Sequence, residues 1–208
     1  EHFADYDNLT TVAGDVVCEW PKRRELGELP RTILGNLPYS SAAPIIASFI
    51  QSGMAVGQFL FMVQEEVAER MVAVPNTRTY SAFTVLVQAR MSVARKMRIR
   101  PGCFYPRPEV SSALVELTPR AEAPHIEDDA VLSAVARAVF HARRKTVANS
   151  LKGSGLLIDG RRIPLSPMDV TELLAASGID ERVRGEVLPV EKIVELANHA
   201  APRVRAQE

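Results

Sequence analysis

Four adjacent residues, Asn36, Leu37, Pro38 and Tyr39, carry the clearest chemistry in the sequence. An amide side chain, a carbonyl followed by proline and an aromatic ring suit one task, moving a methyl group onto the exocyclic amine of a flat ring. Such a nitrogen is a poor nucleophile because its lone pair is delocalised into the ring. Two oxygen acceptors aimed at its hydrogens draw it toward a tetrahedral shape and concentrate the lone pair on the incoming carbon. The Asn36 side-chain oxygen is one acceptor and the Leu37 carbonyl the other, since Pro38 lacks an N–H and stiffens the turn. Tyr39 offers a face on which a base stacks, worth about 1–3 kcal/mol. No general base with a displaced pKa is needed. Out of context, Asn, Pro and Tyr after a strand are also ordinary loop residues.

The elements around this tetrapeptide decide whether it is a site. It directly follows an apolar run at 31–35 that reads as a strand, and in open α/β sheets ligands bind beyond the carboxyl ends of strands. A second short strand is expected at 9–14. Apolar residues recurring at three and four predict a helix at 41–52, and the continuous run 59–63 predicts a strand buried on both faces. Helices are expected at 65–73, with Glu65 and Glu66 as N-terminal charges favoured by the dipole, and at 80–90. Residues 91–100 read as a strand with Val93, Met97 and Ile99 on one face, although Arg95 breaks the alternation. A strand at 113–117 completes an antiparallel pair. After a Pro-, Ala- and acid-rich connector at 118–129, everything looks helical, at 129–141, 146–151, 169–176 and 190–200. A boundary near 120 then separates a Rossmann-like α/β part, 1–120, from a small all-α part, 121–208.

Composition narrows the class. The 208 residues hold 25 Lys+Arg against 25 Asp+Glu with 47% hydrophobic content, a globular balance. The charges are unevenly spread. Eight Arg/Lys and no acid lie between Arg70 and Arg107, and seven more face only Asp159 between Arg137 and Arg162. Two basic stripes on one face suit a phosphate backbone, and solvated faces of ordinary elements are the plainer alternative. Cys18 and Cys103 are isolated, and His2, His125, His141 and His199 show no ligand or triad spacing, so no disulfide framework or metal site is indicated. The apolar region 42–63 is too interrupted for a membrane span, and residues 1–7 resemble no secretory signal. A cytoplasmic, monomeric protein is expected.

In this context, Asn36 to Tyr39 resembles the amine-methylating motif of the ribosomal RNA adenine dimethyltransferases, the KsgA-type family. Gly14-Asp15 is similar to the family's strand-end acid, Phe104-Tyr-Pro-Arg-Pro-Glu-Val-Ser-Ser to its Phe-x-Pro-x-Pro-x-Val-x-Ser loop, and Phe140-His-Ala-Arg-Arg-Lys-Thr-Val-Ala-Asn-Ser-Leu to a helix opening in its C-terminal domain. The segment from Gln64 through Arg70 and Pro75-Asn76 also fits. The resemblance implies a class I methyltransferase sheet and S-adenosylmethionine as cofactor, held by Asp15 and Asn36. It also implies a target adenine clamped between Tyr39 and Phe104, and ribosomal RNA of the small subunit contacted by Arg107, Arg143, Arg144 and Lys145. For several of these residues a simpler role stands beside the implied one: Asp15 as a helix cap, Phe104 as a core plug, and Arg143 to Lys145 as a solvated helix start.

The family also carries a strand and a Gly-x-Gly turn ahead of its strand-end acid. Here Gly14 is the first glycine, so the sequence reads as N-terminally incomplete. The function expected is dimethylation of adenine amines in small-subunit ribosomal RNA, linked to ribosome biogenesis. The alternatives are a large-subunit RNA methyltransferase of the antibiotic-resistance type and a non-catalytic RNA-binding assembly module.

Overall fold

The computed structural model describes residues 8–25, 31–51 and 57–206. Its first half contains α1 (Val16–Glu25), β1 (Thr32–Asn36), α2 (Ala42–Gln51), β2 (Gln58–Gln64), α3 (Glu65–Met71), α4 (Ala82–Gln88), β3 (Met91–Ile99) and β4 (Ser112–Pro119). The strands form one sheet in the order β1-β2-β4-β3. β1 runs parallel to β2, while β4 is antiparallel to both of its neighbours.

The sheet buries mainly one face. Phe59, Phe61 and Val63 of β2 are buried, and the residues between them are half-exposed. The expected strand at 59–63 is therefore present, but it is fully covered on one side only. Its covered side meets α2, whose apolar residues at three- and four-residue spacing pack Phe49 onto Phe61 with ring centroids 6.1 Å apart. Trp20 of α1 adds an edge-on contact at 5.2 Å. Gly35 belongs to this packing, because a Cβ there would stand 2.9 Å from the Phe61 ring. The other face stays open: Leu34 is 72% and Met97 56% exposed.

The second half contains α5 (Asp129–Phe140), α6 (Val147–Ser154), β5 (Leu156–Ile158), β6 (Arg161–Ile163), α7 (Pro167–Ala176) and α8 (Val190–Arg205). Asp128 caps α5 by accepting from the Ala130 and Val131 N–H groups, and Ser166 with Asp169 forms a capping box on α7. These helices share a second core. Helix α4 joins the two cores, since Phe83 and Val87 face the sheet while Val85, Leu86 and Ala89 face the helices.

Four expectations need correction. Residues 9–14 form no strand; they are exposed, Leu9 and Val12 included, and a strand exists only through pairing that its propensity cannot supply. Helix α1 follows instead. In β3 the register slips between Arg95 and Met97, so Arg95 and Arg98 share the face of Val93, and Met97 and Ile99 turn to the opposite side. The C-terminal part is not wholly helical, because β5 and β6 form a hairpin. Asp159 and Gly160 sit at its tip with φ of 47° and 79°, the left-handed pair a two-residue hairpin turn requires. Finally, Arg143 to Lys145 lie in the turn between α5 and α6, not on a helix.

Three carboxyls of the helical half are held below the usual range. Asp169 is lowered chiefly by its hydrogen bonds from Ser166, Glu127 by Arg205 and Glu191 by its own backbone N–H. A carboxylate favoured in the folded state contributes stability above its unfolded pKa of about 4 and loses it as pH falls. The urea midpoint is expected to be lower at pH 3 than at pH 7, and Asp169→Asn to narrow that difference. An equal difference in the variant would contradict the assignment.

Candidate adenine-binding corner

The strand register brings three chain segments to one end of the sheet. Asn36, the last residue of β1, pairs with Met62, and two residues further along β2 Gln64 pairs with Ser112, the first residue of β4. Ser112 also pairs with Ile99, the last residue of β3. The turn after β1, the start of α3 and the 100–111 loop between β3 and β4 therefore meet at this end.

Each carries a residue of interest. The Leu37 N–H extends the β1 ladder by donating to the Met62 carbonyl at 3.2 Å, which fixes the chain just before the turn. The Leu37 side chain is buried, and the Pro38 carbonyl accepts from the Ser41 N–H as the chain enters α2. Among the described residues nothing donates to the Leu37 carbonyl, and the Asn36 side chain makes no hydrogen bond. Both acceptors are thus free. By strand alternation Asn36 lies on the open side with Leu34, and it is exposed.

Tyr39 is half-buried, and its hydroxyl lies 2.8 Å from Oγ of the fully buried Ser112. That bond ties the turn after β1 to the strand that receives the 100–111 loop. Within the loop, a short turn at Pro101–Cys103 leads into Phe104, whose N–H donates to the Pro101 carbonyl at 3.2 Å. Phe104 is half-buried while its neighbour Tyr105 is fully exposed. Arg107, in the same loop, is exposed and forms no ion pair among the described residues.

Glu65 secures this end through contacts that its place at a helix start does not suggest. Its carboxylate, 16% exposed, accepts from Arg95 and from Arg98 at 3.1 Å, and its N–H donates to the Ser111 carbonyl at 2.9 Å. Arg98 also donates to Ser111 Oγ at 3.3 Å. The slip in β3 makes this possible, because it turns two arginines three positions apart toward one acid. Arg95, out of place in a strict alternation, is the one sequence signal for it.

The remaining expected residues lie elsewhere. Asp15 stands just before α1, where one carboxylate oxygen accepts from the Val17 N–H at 2.9 Å; the other accepts nothing among the described residues. Arg143 is anchored in the helical half, donating to the Thr77, Arg78 and Tyr80 carbonyls and pairing with Glu186. With its donors so occupied it ties loop 77–80 to the segment before α8. Tyr80 strengthens the same junction by donating to the Leu188 carbonyl at 2.8 Å, and burial raises its phenol pKa. Arg144 and Lys145 are exposed and unpaired among the described residues.

The basic stripes also separate. In the first, Arg90 pairs with Asp129 and Lys96 with Glu116, while Arg95 and Arg98 share Glu65, so three acids meet four cations. In the second, only Arg143 is ion-paired among the described residues. Among the described residues no group of three His, Cys, Asp or Glu could hold a metal ion, Cys18 and Cys103 are free, and no helix is long and apolar enough to cross a membrane.

A family model described as ribosomal RNA adenine dimethylase matches residues 3–200. The ribosomal RNA small subunit methyltransferase A of Syntrophus aciditrophicus is 34% identical over 203 residues, covering 95% of this chain and 70% of that protein. Its namesake from Treponema pallidum is 37% identical over 192 residues, covering 92% and 65%. This chain thus spans about two thirds of the length of these relatives. A dimethyladenosine transferase from Plasmodium falciparum has the same fold, with a TM-score of 0.71 at 20% identity over 98% of this chain and 76% of that one.

If the Tyr39 to Ser112 bond joins turn and loop as described, Tyr39→Phe and Ser112→Ala are not additive. A double-mutant cycle in urea unfolding is expected to give a coupling of about 1 kcal/mol. Simple additivity would show that the bond carries no energy.

Proposed function

The chain belongs to the ribosomal RNA adenine dimethylase family, and from that premise we propose that it works in the dimethylation of adenine amines in small-subunit ribosomal RNA, with S-adenosylmethionine as methyl donor. The observation that carries the reading is the pair of free acceptors at the end of β1. An adenine edge laid against this corner gives one amine hydrogen to the Asn36 side-chain oxygen and the other to the Leu37 carbonyl. Pro38 keeps the second acceptor in place, and Tyr39, braced through Ser112, presents its ring as one wall for the base. Phe104, on the loop that reaches the same end of the sheet, is the second wall.

Two features fit the donor. S-adenosylmethionine offers amine N–H groups and a positive sulfonium, and Asp15 has one carboxylate oxygen free beside the N-terminus of α1 while Asn36 has a free amide. When bound, S-adenosylmethionine supplies an electrophilic methyl group. The residues of the chain do the positioning: they hold the amine lone pair in line and exclude other geometries, which accounts for most of the rate in such a transfer. After one methylation a single hydrogen remains for two acceptors, so the second transfer relies more on the stacked rings. A target base has to leave its stack to reach the corner, which favours unpaired or weakly paired adenines. Arg144, Lys145 and Arg107 are free to meet RNA phosphates. The helical half, 121–208, is the RNA-binding part in this reading.

Asn36→Ala is expected to lower the single-turnover rate of N6,N6-dimethyladenosine formation on small ribosomal subunits by a factor on the order of 10²–10³, the loss typical of one positioned polar group. Mass spectrometry of the digested RNA reads the product. Undiminished dimethyladenosine would refute the role of Asn36, and transfer to large-subunit RNA alone would refute the substrate.

A further inference from the structure

Many of the charges left over after folding lie around α5, α6 and the β5–β6 hairpin, while Arg78, Arg100, Arg107, Arg182 and Arg184, also without an ion pair among the described residues, lie elsewhere. Most cations on the sheet and on α8 have an acid partner, as in the Arg95–Glu65, Lys96–Glu116, Lys192–Glu195 and Arg203–Asp169 pairs. Around α5, α6 and the hairpin the opposite holds. Arg137, Arg144, Lys145, Lys152, Arg161 and Arg162 form no ion pair with any described residue. Uncompensated cations crowded together repel one another, and a polyanion relieves that repulsion.

This region also has a shape. A groove of about 380 Å³ lies between α5, the end of α6 and the β5–β6 hairpin. Arg137, His141 and Arg162 line it together with apolar surface from Ala134, Ala138 and Leu157. No acid lines it; Asp129 and Asp159 line a neighbouring groove that Arg137 also borders, and Asp129 is already paired with Arg90. The two arginines are held in place without being neutralised. Arg137 donates to the Leu157 carbonyl at 3.2 Å and Arg162 to the Gly153 carbonyl at 2.6 Å. Each guanidinium has five N–H donors, so each keeps several for a ligand. Leu157, 51% exposed, adds an apolar surface next to them.

Fixed planar cations beside an apolar floor suit a nucleotide better than an inorganic anion. The phosphate meets the guanidinium groups, and the base covers apolar surface that would otherwise face water. The volume lies within the usual range for such ligands, about 300–1,000 Å³. We propose that this groove is a second RNA-contact site, taking one nucleotide of a single-stranded segment with its phosphate between Arg137 and Arg162. The proposal rests on the reading of the chain as a ribosomal RNA enzyme, but it concerns a surface separate from the adenine corner.

The test is fluorescence anisotropy of a labelled single-stranded RNA titrated with the full chain at several salt concentrations. Arg137→Gln with Arg162→Gln keeps an amide donor for each carbonyl and removes both charges. Affinity is expected to fall on the order of tenfold, and the log–log salt dependence to become shallower by about 0.7, for the one phosphate charge that is no longer neutralised. Gly153→Glu gives an independent variant, since a Cβ there meets nothing and the arginines are untouched; a similar fall in affinity is expected. Lys96→Gln, a charge already paired with Glu116, is expected to leave binding unchanged. Wild-type affinity in both groove variants, or an equal fall with Lys96→Gln, overturns the proposal. Neither result bears on dimethyladenosine formation at Asn36, so a failed groove leaves the adenine corner standing. A wild-type chain that binds no RNA sinks both.

Discussion

The hydroxyl contact between Tyr39 and Ser112 is where the parts of this molecule become one site. On one side is a turn whose position is set by the last ladder bond of β1; on the other is the first, buried residue of β4. Without that contact the acceptors at Asn36 and Leu37 and the loop bearing Phe104 would be neighbours only by topology. Glu65 does comparable work a short distance away, tying β3 to α3 with its carboxylate and the loop end with its N–H. A charged group that is only 16% exposed is stable there because two arginines and a network of hydrogen bonds replace the water it loses.

The same accounting of charge separates scaffold from surface. A cation with an acid partner is already satisfied, and an RNA phosphate would have to compete with that partner. Arg143 illustrates the point. Its sequence context suggests a phosphate contact, yet three carbonyls and Glu186 occupy its guanidinium, so its contribution is to fix the junction between the two cores. Its neighbours Arg144 and Lys145 have no such duties. Unpaired cations continue from there along α6 to the hairpin, at Lys152, Arg161 and Arg162.

Periodicity makes most of the fold legible. The three- and four-residue spacing at 41–52 marks α2, and the antiparallel pair β3–β4 and helices α5 to α8 follow from similar patterns. What fails has physical reasons. Strand propensity at 9–14 has no consequence without a partner to pair with. Alternation assigns the faces of β3, and one extra residue near Lys96 exchanges them. The hairpin is hidden when Asp159 is read as a charge, although Asp159-Gly160 is a strong turn signal. The corner itself is visible as a tetrapeptide. Its supports are not, because Ser112 and Glu65 gain their meaning from residues far away in sequence.

The central claim is that two acceptors at the end of β1 receive the hydrogens of an adenine amine. The most direct measurement follows the carbon-13 carbonyl resonance of Leu37 and the side-chain amide of Asn36 while the chain is titrated with short single-stranded RNA. One RNA carries adenosine, and the other carries purine riboside, which lacks the amine. Shifts at both positions with adenosine and none with purine riboside are predicted. Identical shifts with the two RNAs would contradict the account.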